Sequence, residues 1–347
     1  MATHSRALDL RHGRVDLGHG AGGRSMAQLI EQLFLRHFDN PWLRAQNDGA
    51  CLSLPPDAGR IVMATDCHVV SPLFFPGGDI GSLAVHGTVN DVAVAGGRPL
   101  WLSAAFILEE GFPLADLERI VVSMAEAARA AGVAIVTGDT KVVERGKCDG
   151  VFINTTGVGV AVPGVTLDPA NIRPGDAIIV SGTLGDHGMA IMSQRESLSF
   201  ESELRSDSAA LNGLVDAILA AVPGVRALRD PTRGGLAAVL NEFAQAAGCG
   251  IHVRESAIPV RPEVTASCEL LGLDPLYVAN EGKLVAACAP EDAPRVLDAM
   301  HAHPLGRDAS LIGYAQIDER CFVQMETAFG GRRMVDWLTG EQLPRIC

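Results

Sequence analysis

The residues of this sequence that could react most readily are Cys347 and several aspartates in short glycine-rich motifs. The last seven residues read EQLPRIC, so Cys347 lies on a short polar segment. A thiol in such a segment adds nothing to a hydrophobic core and is open to oxidation. We therefore expect Cys347 to be either incidental or the group on which the protein acts.

Four aspartates lie beside glycines or at the predicted ends of strands, where acidic side chains can converge. They are Asp66 in ATDC, Asp91 after Asn90 in VNDV, Asp139 in TGDTK and Asp230 in DPTRGG. Carboxylates, together with phosphate oxygens and water, are the ligands that Mg²⁺ prefers. Each aspartate taken alone is better explained as a helix cap or a turn residue. The magnesium hypothesis therefore depends on the set.

Three further residues are candidates for proton transfer or charge neutralisation. Lys141, two residues after Asp139, suits a phosphate oxygen or a developing negative charge, although a lysine after a strand is usually only solvated. Glu281 in ANEGK precedes a predicted strand and is either a base or a surface carboxylate. His187 in GDHG lies beside glycine, although a single loop histidine is more often simply exposed.

Two glycine-rich segments have the composition of phosphate-binding backbone. The first, GHGAGGR, contains Gly20, Gly22 and Gly23 and could fold over a nucleotide, but it lacks the G-K-[ST] ending of a Walker loop. The second, PTRGGL at 231–236, places glycines before a helix whose N-terminal N–H groups attract anions. Because glycines also serve tight packing, neither segment alone is specific.

The hydrophobic pattern predicts two α/β parts, and most of the candidate residues lie near the ends of their elements. Strands are predicted at 60–70, 100–108, 133–143, 151–161, 177–182, 251–254, 283–288 and 310–317. Helices are predicted at 79–99, 113–132, 208–221, 233–247, 262–271 and 291–301. The Pro/Gly/Asp-rich stretch 162–176 separates domains at 1–162 and 163–331. A mobile C-terminal tail follows at 332–347, with one helical turn near MVDWL, and the mixed order of elements argues against a doubly wound nucleotide fold.

The composition narrows the class of protein and the class of partner. The chain has 347 residues, of which 48% are hydrophobic and 20% charged, enough for two globular cores. Its net charge of −13 argues against nucleic acid and against an anionic membrane, and a nucleotide ligand would need divalent cations beside it. Eight cysteines without metal-type spacing, no export signal and no long apolar stretch indicate a reduced, cytoplasmic protein without a membrane span.

Seven motifs in this order resemble the PurM-like ATP-dependent synthetases, a superfamily with aminoimidazole ribonucleotide synthetase, selenophosphate synthetase and thiamine-monophosphate kinase. They are GHGAGGR, TDCHVV, GTVNDVAVAGGRPLWLS, VTGDTKVV, IIVSGTLGDHG, DPTRGGL and NEGK. Each motif alone is modest. Together with the final PRIC, the set is similar to the HypE family of hydrogenase-maturation carbamoyl dehydratases, over about residues 14–347.

The resemblance implies an activity, cofactors and partners. Cys347 would receive a carbamoyl group from the carbamoyltransferase HypF, and ATP with Mg²⁺ would drive its dehydration to a thiocyanate. The cyano group would pass to an iron on a HypC–HypD scaffold, for the Fe(CN)₂CO centre of [NiFe] hydrogenase. The implied fold is a pair of PurM-like α/β domains, and the N-terminal domains would pair through their mixed sheets in a homodimer.

The resemblance also suggests roles for individual residues. Asp66, Asp91 and Asp139 match family positions around Mg²⁺–ATP, and Lys141 and Glu281 match polar positions near the reacting group. The remaining motif positions expected to bind nucleotide are Gly20, Gly22, Gly23, Asn90, Gly138, Thr140, Asp230 and Arg233. Glu281 is the first candidate for the base that takes the N–H proton, and His187 is the second.

Two other functions compete with this one. A selenophosphate-synthetase-like or small-molecule kinase activity needs no cysteine at position 347, and selenophosphate synthetases carry a reactive cysteine near the N-terminus. The first 50 residues here contain no cysteine. A non-catalytic carrier of a thiol-bound group would need no Mg²⁺–nucleotide site, so the aspartates and Lys141 argue against it.

Overall fold

The structure is a computed structural model that describes residues 8–21, 23–47, 49–56, 58–196, 204–338, 343 and 345–347. The strands are β1 (Ile61–His68), β2 (Phe74–Phe75), β3 (Gly78–Asp79), β4 (Gly97–Glu109), β5 (Ala134–Val143), β6 (Val151–Ala161), β7 (Ala177–Val180), β8 (Ala227–Arg229), β9 (Gly250–Arg254), β10 (Val285–Cys288), β11 (Ser310–Gln316), β12 (Val323–Glu326) and β13 (Arg332–Met334). The helices are α1 (Arg24–Leu29), α2 (Leu35–Phe38), α3 (Pro41–Arg44), α4 (Ile80–Val94), α5 (Leu114–Ala131), α6 (Asp186–Arg195), α7 (Asn212–Ala221), α8 (Gly235–Ala247), α9 (Pro262–Leu271) and α10 (Ala293–His301), with a π-helical segment at Ile30–Phe34.

The N-terminal half is built on a four-stranded mixed sheet in the order β1-β6-β4-β5. Its β4–β5 pair is parallel and the other two pairs are antiparallel. Helices α4 and α5 cover one face, where the strands alternate apolar residues inward. The opposite face stays open, and on it Ile61, Met63 and Ile107 are 57%, 69% and 43% exposed. This face is called the open face below.

The C-terminal half is built on a seven-stranded sheet in the order β13-β12-β9-β11-β7-β10-β8. All four residues of the interior strand β7 are buried, which is typical of a strand covered on both faces. Ile178 and Val180 belong to the core on the α8 side, whereas Ala177 and Ile179 belong to the core of α7 and α10. The two α/β halves expected from the sequence are therefore present.

The structure corrects three predictions. The segment after β7, where no helix was predicted, begins helix α6 at Asp186. The tail does not begin as a free segment, because Arg332–Met334 forms β13 and pairs with β12. The described residues of MVDWL, 334–338, contain no helical turn. Met334 ends β13, and the Val335 N–H donates to the Val323 carbonyl of β12 at 2.9 Å, so the start of this segment bonds to the sheet and not within a helical turn.

Candidate functional site

The candidate site lies where the end of β1 and helix α4 of the N-terminal half meet the loops of the C-terminal half. Asp66 lies near the end of β1, on the side that faces α4, because it is paired with the buried Thr155 of β6. Gly87 of α4 permits this approach. A Cβ atom at Gly87 would lie 3.0 Å from His68 Cε1 and 3.5 Å from Asp66 Oδ2.

Four acidic side chains converge here, and we call Asp66, Asp91, Asp230 and Glu281 the acidic cluster. Burial, followed by the charges of Asp230 and Asp66, raises the pKa of Asp91 to about 7. Burial is also the main reason that the pKa of Asp230 is raised to about 6, with a contribution from Asp66. These carboxyl groups resist ionising together, so the cluster favours a proton or a cation.

Glu281 is held at the centre of the cluster by the residues around it. Asn280 accepts a bond from the Gly185 N–H at 2.7 Å and donates to the Pro231 carbonyl at 2.9 Å. The Glu281 N–H donates to Asp207 at 3.1 Å. Burial and then the charge of Asp230 raise the pKa of Glu281 well above its ordinary value. Its Oε1 is buried and has no hydrogen-bond partner among the described residues.

The thiol of Cys347 lies against this carboxyl group. Burial and then the neighbouring Glu281 raise the pKa of the Cys347 thiol, while Arg233 opposes the shift. The Val69 N–H donates to the Cys347 carbonyl at 3.2 Å, and the Ser71 N–H donates to the Arg345 carbonyl at 3.1 Å. Residues 345–347 therefore run antiparallel to 69–71 and lead the thiol into the acidic cluster.

His187 has a different place from the one expected. It is not an exposed loop residue, since it lies in the first turn of α6 and is completely buried. Its Nε2 donates to the Ile346 carbonyl at 2.8 Å, because a carbonyl can only accept. Burial lowers the pKa of His187, so the ring is neutral and Nδ1 accepts from the Ser206 hydroxyl at 2.8 Å. In this arrangement His187 holds the tail and is not a free base.

Asp139 and Lys141 do not join the acidic cluster within one chain. They lie on β5, at the opposite edge of the sheet from β1, and the registers place their side chains on the open face. Three strand spacings separate the two edges by about 14 Å. Lys141 Nζ forms an ion pair with Asp139 at 3.1 Å, and both side chains are more than half exposed. The predicted metal set of Asp66, Asp91 and Asp139 is thus not gathered in a single chain.

A cavity of about 500 Å³ lies beside β5, between the sheet and the helices that precede β1. Phe34, Phe38 and Trp42 line one side, and Gly138, Asp139 and Thr140 line another. The volume is typical of small-molecule pockets, and aromatic rings beside backbone polar groups suit a planar heterocycle. The TGDT motif, at 137–140, therefore contributes to a pocket and not to the acidic cluster.

The residues predicted to bind nucleotide do not all lie together in the structure. Gly20 packs on β5, where a Cβ atom would lie 2.6 Å from the Val142 nitrogen, and Gly23 is the N-cap of α1. Gly22 lies outside the described residues. Asn90 is buried and its side chain forms hydrogen bonds with the backbone, since Oδ1 accepts from the Leu211 N–H at 2.7 Å. Arg233, just before α8, is exposed and lies near Asp91 and Cys347.

Three residues of the site were not identified as candidates from the sequence. His68 is 1% exposed, lies 3.7 Å from Asp66, and neither ring nitrogen has a hydrogen-bond partner among the described residues. Asn280 orders the loops around Glu281, and Asp207 forms a buried ion pair with Lys283 at 3.0 Å. Only the position of Asn280 directly before Glu281 could have suggested a role.

Within the described ranges, no group of three or more His, Cys, Asp or Glu side chains is arranged to hold a metal ion. This does not conflict with Mg²⁺, which commonly takes one or two carboxylates and completes its shell with phosphate and water. All eight cysteines are free, and no helix in the described residues is long and apolar enough to cross a membrane.

Comparison with known proteins gives the family. The model of the AIR synthase related protein N-terminal domain matches residues 46–161, and that of its C-terminal domain matches 173–326. The chain is 67% identical over 344 residues to the carbamoyl dehydratase HypE of Cupriavidus necator, covering 99% of this chain and 98% of that protein. It is 52% identical to the HypE of Escherichia coli K12, covering 96% of this chain and 99% of that protein. The chain belongs to the HypE family.

Solved structures agree with this membership. A HypE crystal structure in complex with ATP superposes with a TM-score of 0.92 at 52% identity, covering 95% of this chain and 99% of that chain. HypE in a HypE–HypF complex superposes with a TM-score of 0.78 at 49% identity, covering 89% of this chain and 99% of that chain. A thiamine monophosphate kinase of Aquifex aeolicus shares the fold alone. It superposes with a TM-score of 0.59 at 21% identity, covering 79% of this chain and 89% of that chain. The predicted HypE family, two-part α/β fold and enzyme class are confirmed.

Proposed function

We propose that this HypE-family chain uses ATP to remove water from a carbamoyl group carried on its own Cys347, leaving a thiocyanate. The observation that supports this most is the position of the Cys347 thiol against the buried Glu281, inside the acidic cluster. The reaction converts –S–C(=O)–NH₂ and ATP into –S–C≡N, ADP and phosphate. In this reaction the carbonyl oxygen is the phosphoryl acceptor, and the two N–H protons must be removed by a base.

The carbonyl oxygen cannot leave as oxide, so it attacks the γ-phosphoryl group and later departs as phosphate. As the C–O bond breaks and the N–H protons are lost, electron pairs on nitrogen convert the C–N bond into the triple bond of the thiocyanate. Glu281 would ionise once a bound cation offsets the neighbouring carboxylates, and its Oε1, which has no partner among the described residues, would then take one N–H proton, while the other leaves with the phosphate or solvent. Glu281 stays our first candidate for the base. His187, whose Nε2 carries a proton toward the Ile346 carbonyl, is better assigned to holding the tail.

The buried thiol also supports loading at a different place. Only a thiolate attacks a carbamoyl donor efficiently, and the raised pKa keeps the docked Cys347 thiol protonated. The tail would therefore leave the acidic cluster to be loaded and return to it for dehydration. We propose HypF as the loading partner, since a relative of this chain forms a HypE–HypF complex. A HypC–HypD iron scaffold is the proposed acceptor of the cyano group.

ATP binding is supported by a relative crystallised with ATP and by the cavity beside β5. We place the base of the nucleotide against Phe34, Phe38 and Trp42. We propose that Gly20 and Gly23 lie near its phosphates. Asp91 and Asp230, whose pKa values are raised by burial and by neighbouring carboxylates, fit Mg²⁺ beside Asp66. When bound, Mg²⁺ neutralises phosphate charge during phosphoryl transfer. Arg233 lies near enough to contribute to the same neutralisation.

A homodimer would bring Asp139 and Lys141 to this chemistry. The open face exposes the apolar side chains of Ile61 and Met63, and β1 and β5 are the edge strands of the sheet. Pairing β1 of one chain with β5 of its partner would close two sheets into a barrel and cover both edges. It would also bring the strand that carries Asp139 and Lys141 in one chain next to the strand that carries Asp66 in the other. We propose that each site is shared in this way.

The test is the mass of the C-terminal peptide after incubation with Mg-ATP, carbamoyl phosphate and HypF. We expect Cys347 to gain one carbamoyl group, and to lose one water from it only when ATP is present. Cys347→Ala is the matched control and should gain nothing. A protein that never loads Cys347 but hydrolyses ATP against a free small molecule would instead be a synthetase or kinase.

A further inference from the structure

Helix α6 holds the backbone of the tail at both of its ends. His187, in its first turn, donates through Nε2 to the Ile346 carbonyl at 2.8 Å. Arg195, its last residue, donates through Nη2 to the Arg345 carbonyl. Two consecutive carbonyls of the tail are therefore bound by one rigid element of the C-terminal half.

Arg195 also ties the tail to the N-terminal half. Its Nε donates to the Ser71 carbonyl at 2.5 Å, while the Ser71 N–H donates to the Arg345 carbonyl at 3.1 Å. The planar guanidinium presents its donors in a fixed fork, so one side chain can set the position of two chain segments at once. A lysine would offer the same charge without this fork.

The side chains of the tail complete the attachment. Arg345 Nη1 forms an ion pair with Asp149 Oδ2 at 2.7 Å, and the Arg345 backbone has a φ of 54°, in the left-handed region. Ile346 is 3% exposed and packs into the core of the N-terminal half. A left-handed residue followed by a buried one fixes the direction of the chain, and Cys347 is the next residue.

We propose that Arg195 is a positioning residue that locks the tail in the register in which the Cys347 thiol meets Glu281. It acts on the dehydration of the loaded thiol and not on the loading itself. This inference rests on the proposed function for its chemical consequence. Because the thiol must leave this place to be loaded, a weaker lock leaves loading unchanged or makes it faster.

Docking can be measured without any chemistry of the site. The full-length protein is treated with iodoacetamide, and the rate of Cys347 alkylation is read from the mass of the C-terminal peptide. Loss of hydrogen bonds from a charged donor should make Cys347 react about 10- to 100-fold faster in Arg195→Met. Arg195→Lys should give an intermediate rate. Arg307→Met, at an exposed position in the C-terminal half, should match the wild type.

A second variant keeps the test valid if Arg195→Met does not fold. Asp149→Asn removes the ion-pair partner of Arg345 and leaves α6 intact, so it should also speed the alkylation of Cys347. Equal rates in wild type and in the folded variants would overturn the proposal. Faster alkylation in both Asp149→Asn and Arg195→Lys would support it.

The chemical readout compares two single-turnover rates in each variant. Arg195→Met should slow ATP-dependent loss of water at least about tenfold, with partial recovery in Arg195→Lys, and should not slow HypF-dependent loading. Equal slowing of both steps, or of neither, would refute a positioning role. If the wild type loads but never loses water, the proposed function fails, whereas the alkylation result still decides whether Arg195 locks the tail.

Discussion

Replacing Asp91 by asparagine tests the electrostatics on which the site is built. The pKa of Asp91 is raised from 3.8 to about 7, first by burial and then by Asp230 and Asp66. Below pH 3.8 both the folded and the unfolded chain hold this proton. Between 3.8 and about 7 only the folded chain holds it, so stability is lost as the pH rises through that window. Asparagine cannot ionise and does not show this loss.

The size of the effect follows from the shift. About three pKa units at 1.36 kcal/mol each give about 4 kcal/mol, an upper bound because the side chain is not fully buried. After allowance for solvent access we expect about 2–4 kcal/mol in favour of Asp91→Asn at pH 8. For a chain of this length that is a rise of roughly 3–5 °C in melting temperature.

The assay is thermal unfolding of wild type and Asp91→Asn from pH 4.5 to pH 8, with EDTA and without nucleotide. The advantage of the variant should be small at pH 4.5 and should grow until about pH 7. Asp308→Asn changes an exposed carboxylate that does not belong to the cluster; it is the matched control and should show no such trend. Mg²⁺ should raise the melting temperature of the wild type at pH 8 more than that of Asp91→Asn. An advantage that does not change with pH would refute the electrostatic reasoning.

Three further outcomes are expected. Glu281→Gln should load Cys347 normally but lose water from it about 10²- to 10⁴-fold more slowly, in the same peptide-mass assay; an unchanged rate would remove Glu281 as the base. Lys141→Ala and Glu281→Gln, each inactive alone, should recover about a quarter of the wild-type sites when mixed and allowed to exchange chains, whereas no recovery would contradict a shared site. Gly282→Ala should lower the melting temperature by several degrees, because its Cβ atom would lie 1.8 Å from the Asp207 carbonyl oxygen, and an unchanged value would show that the loop can move aside.

The regular elements could be predicted from the sequence where local signals were strong. Helix α5 was expected at 113–132 and spans Leu114–Ala131, because its apolar residues repeat at helical spacing and Gly132 ends it in the left-handed region. Strand β6 has the bounds that were expected, 151–161. Helix α6 was missed because it begins Asp-His-Gly, a turn-like composition, and is buried on almost every side, so that no single apolar face marks it.

The arrangement of the site could be predicted only in part, because strand pairing is not a local property. The sequence identified Asp66 and Asp139 as strand residues and could not say that they lie at opposite edges and on opposite faces of the sheet. A shift of one residue in register would have reversed each face. Glu281 and Cys347 were both identified from their motifs, but their contact depends on a tail path set by buried residues far away in sequence.

The geometry of the sheet limits how Lys141 can take part. About 14 Å and the thickness of the sheet separate it from the acidic cluster of its own chain, which is beyond the reach of a lysine side chain. Changing rotamers cannot remove that separation, because the strand registers fix which face each residue occupies. Either Lys141 serves the site of a partner chain, or it contacts a part of ATP remote from the reacting carbonyl. Chain exchange between Lys141→Ala and Glu281→Gln separates the two, since only the first arrangement restores a complete site in a mixed dimer.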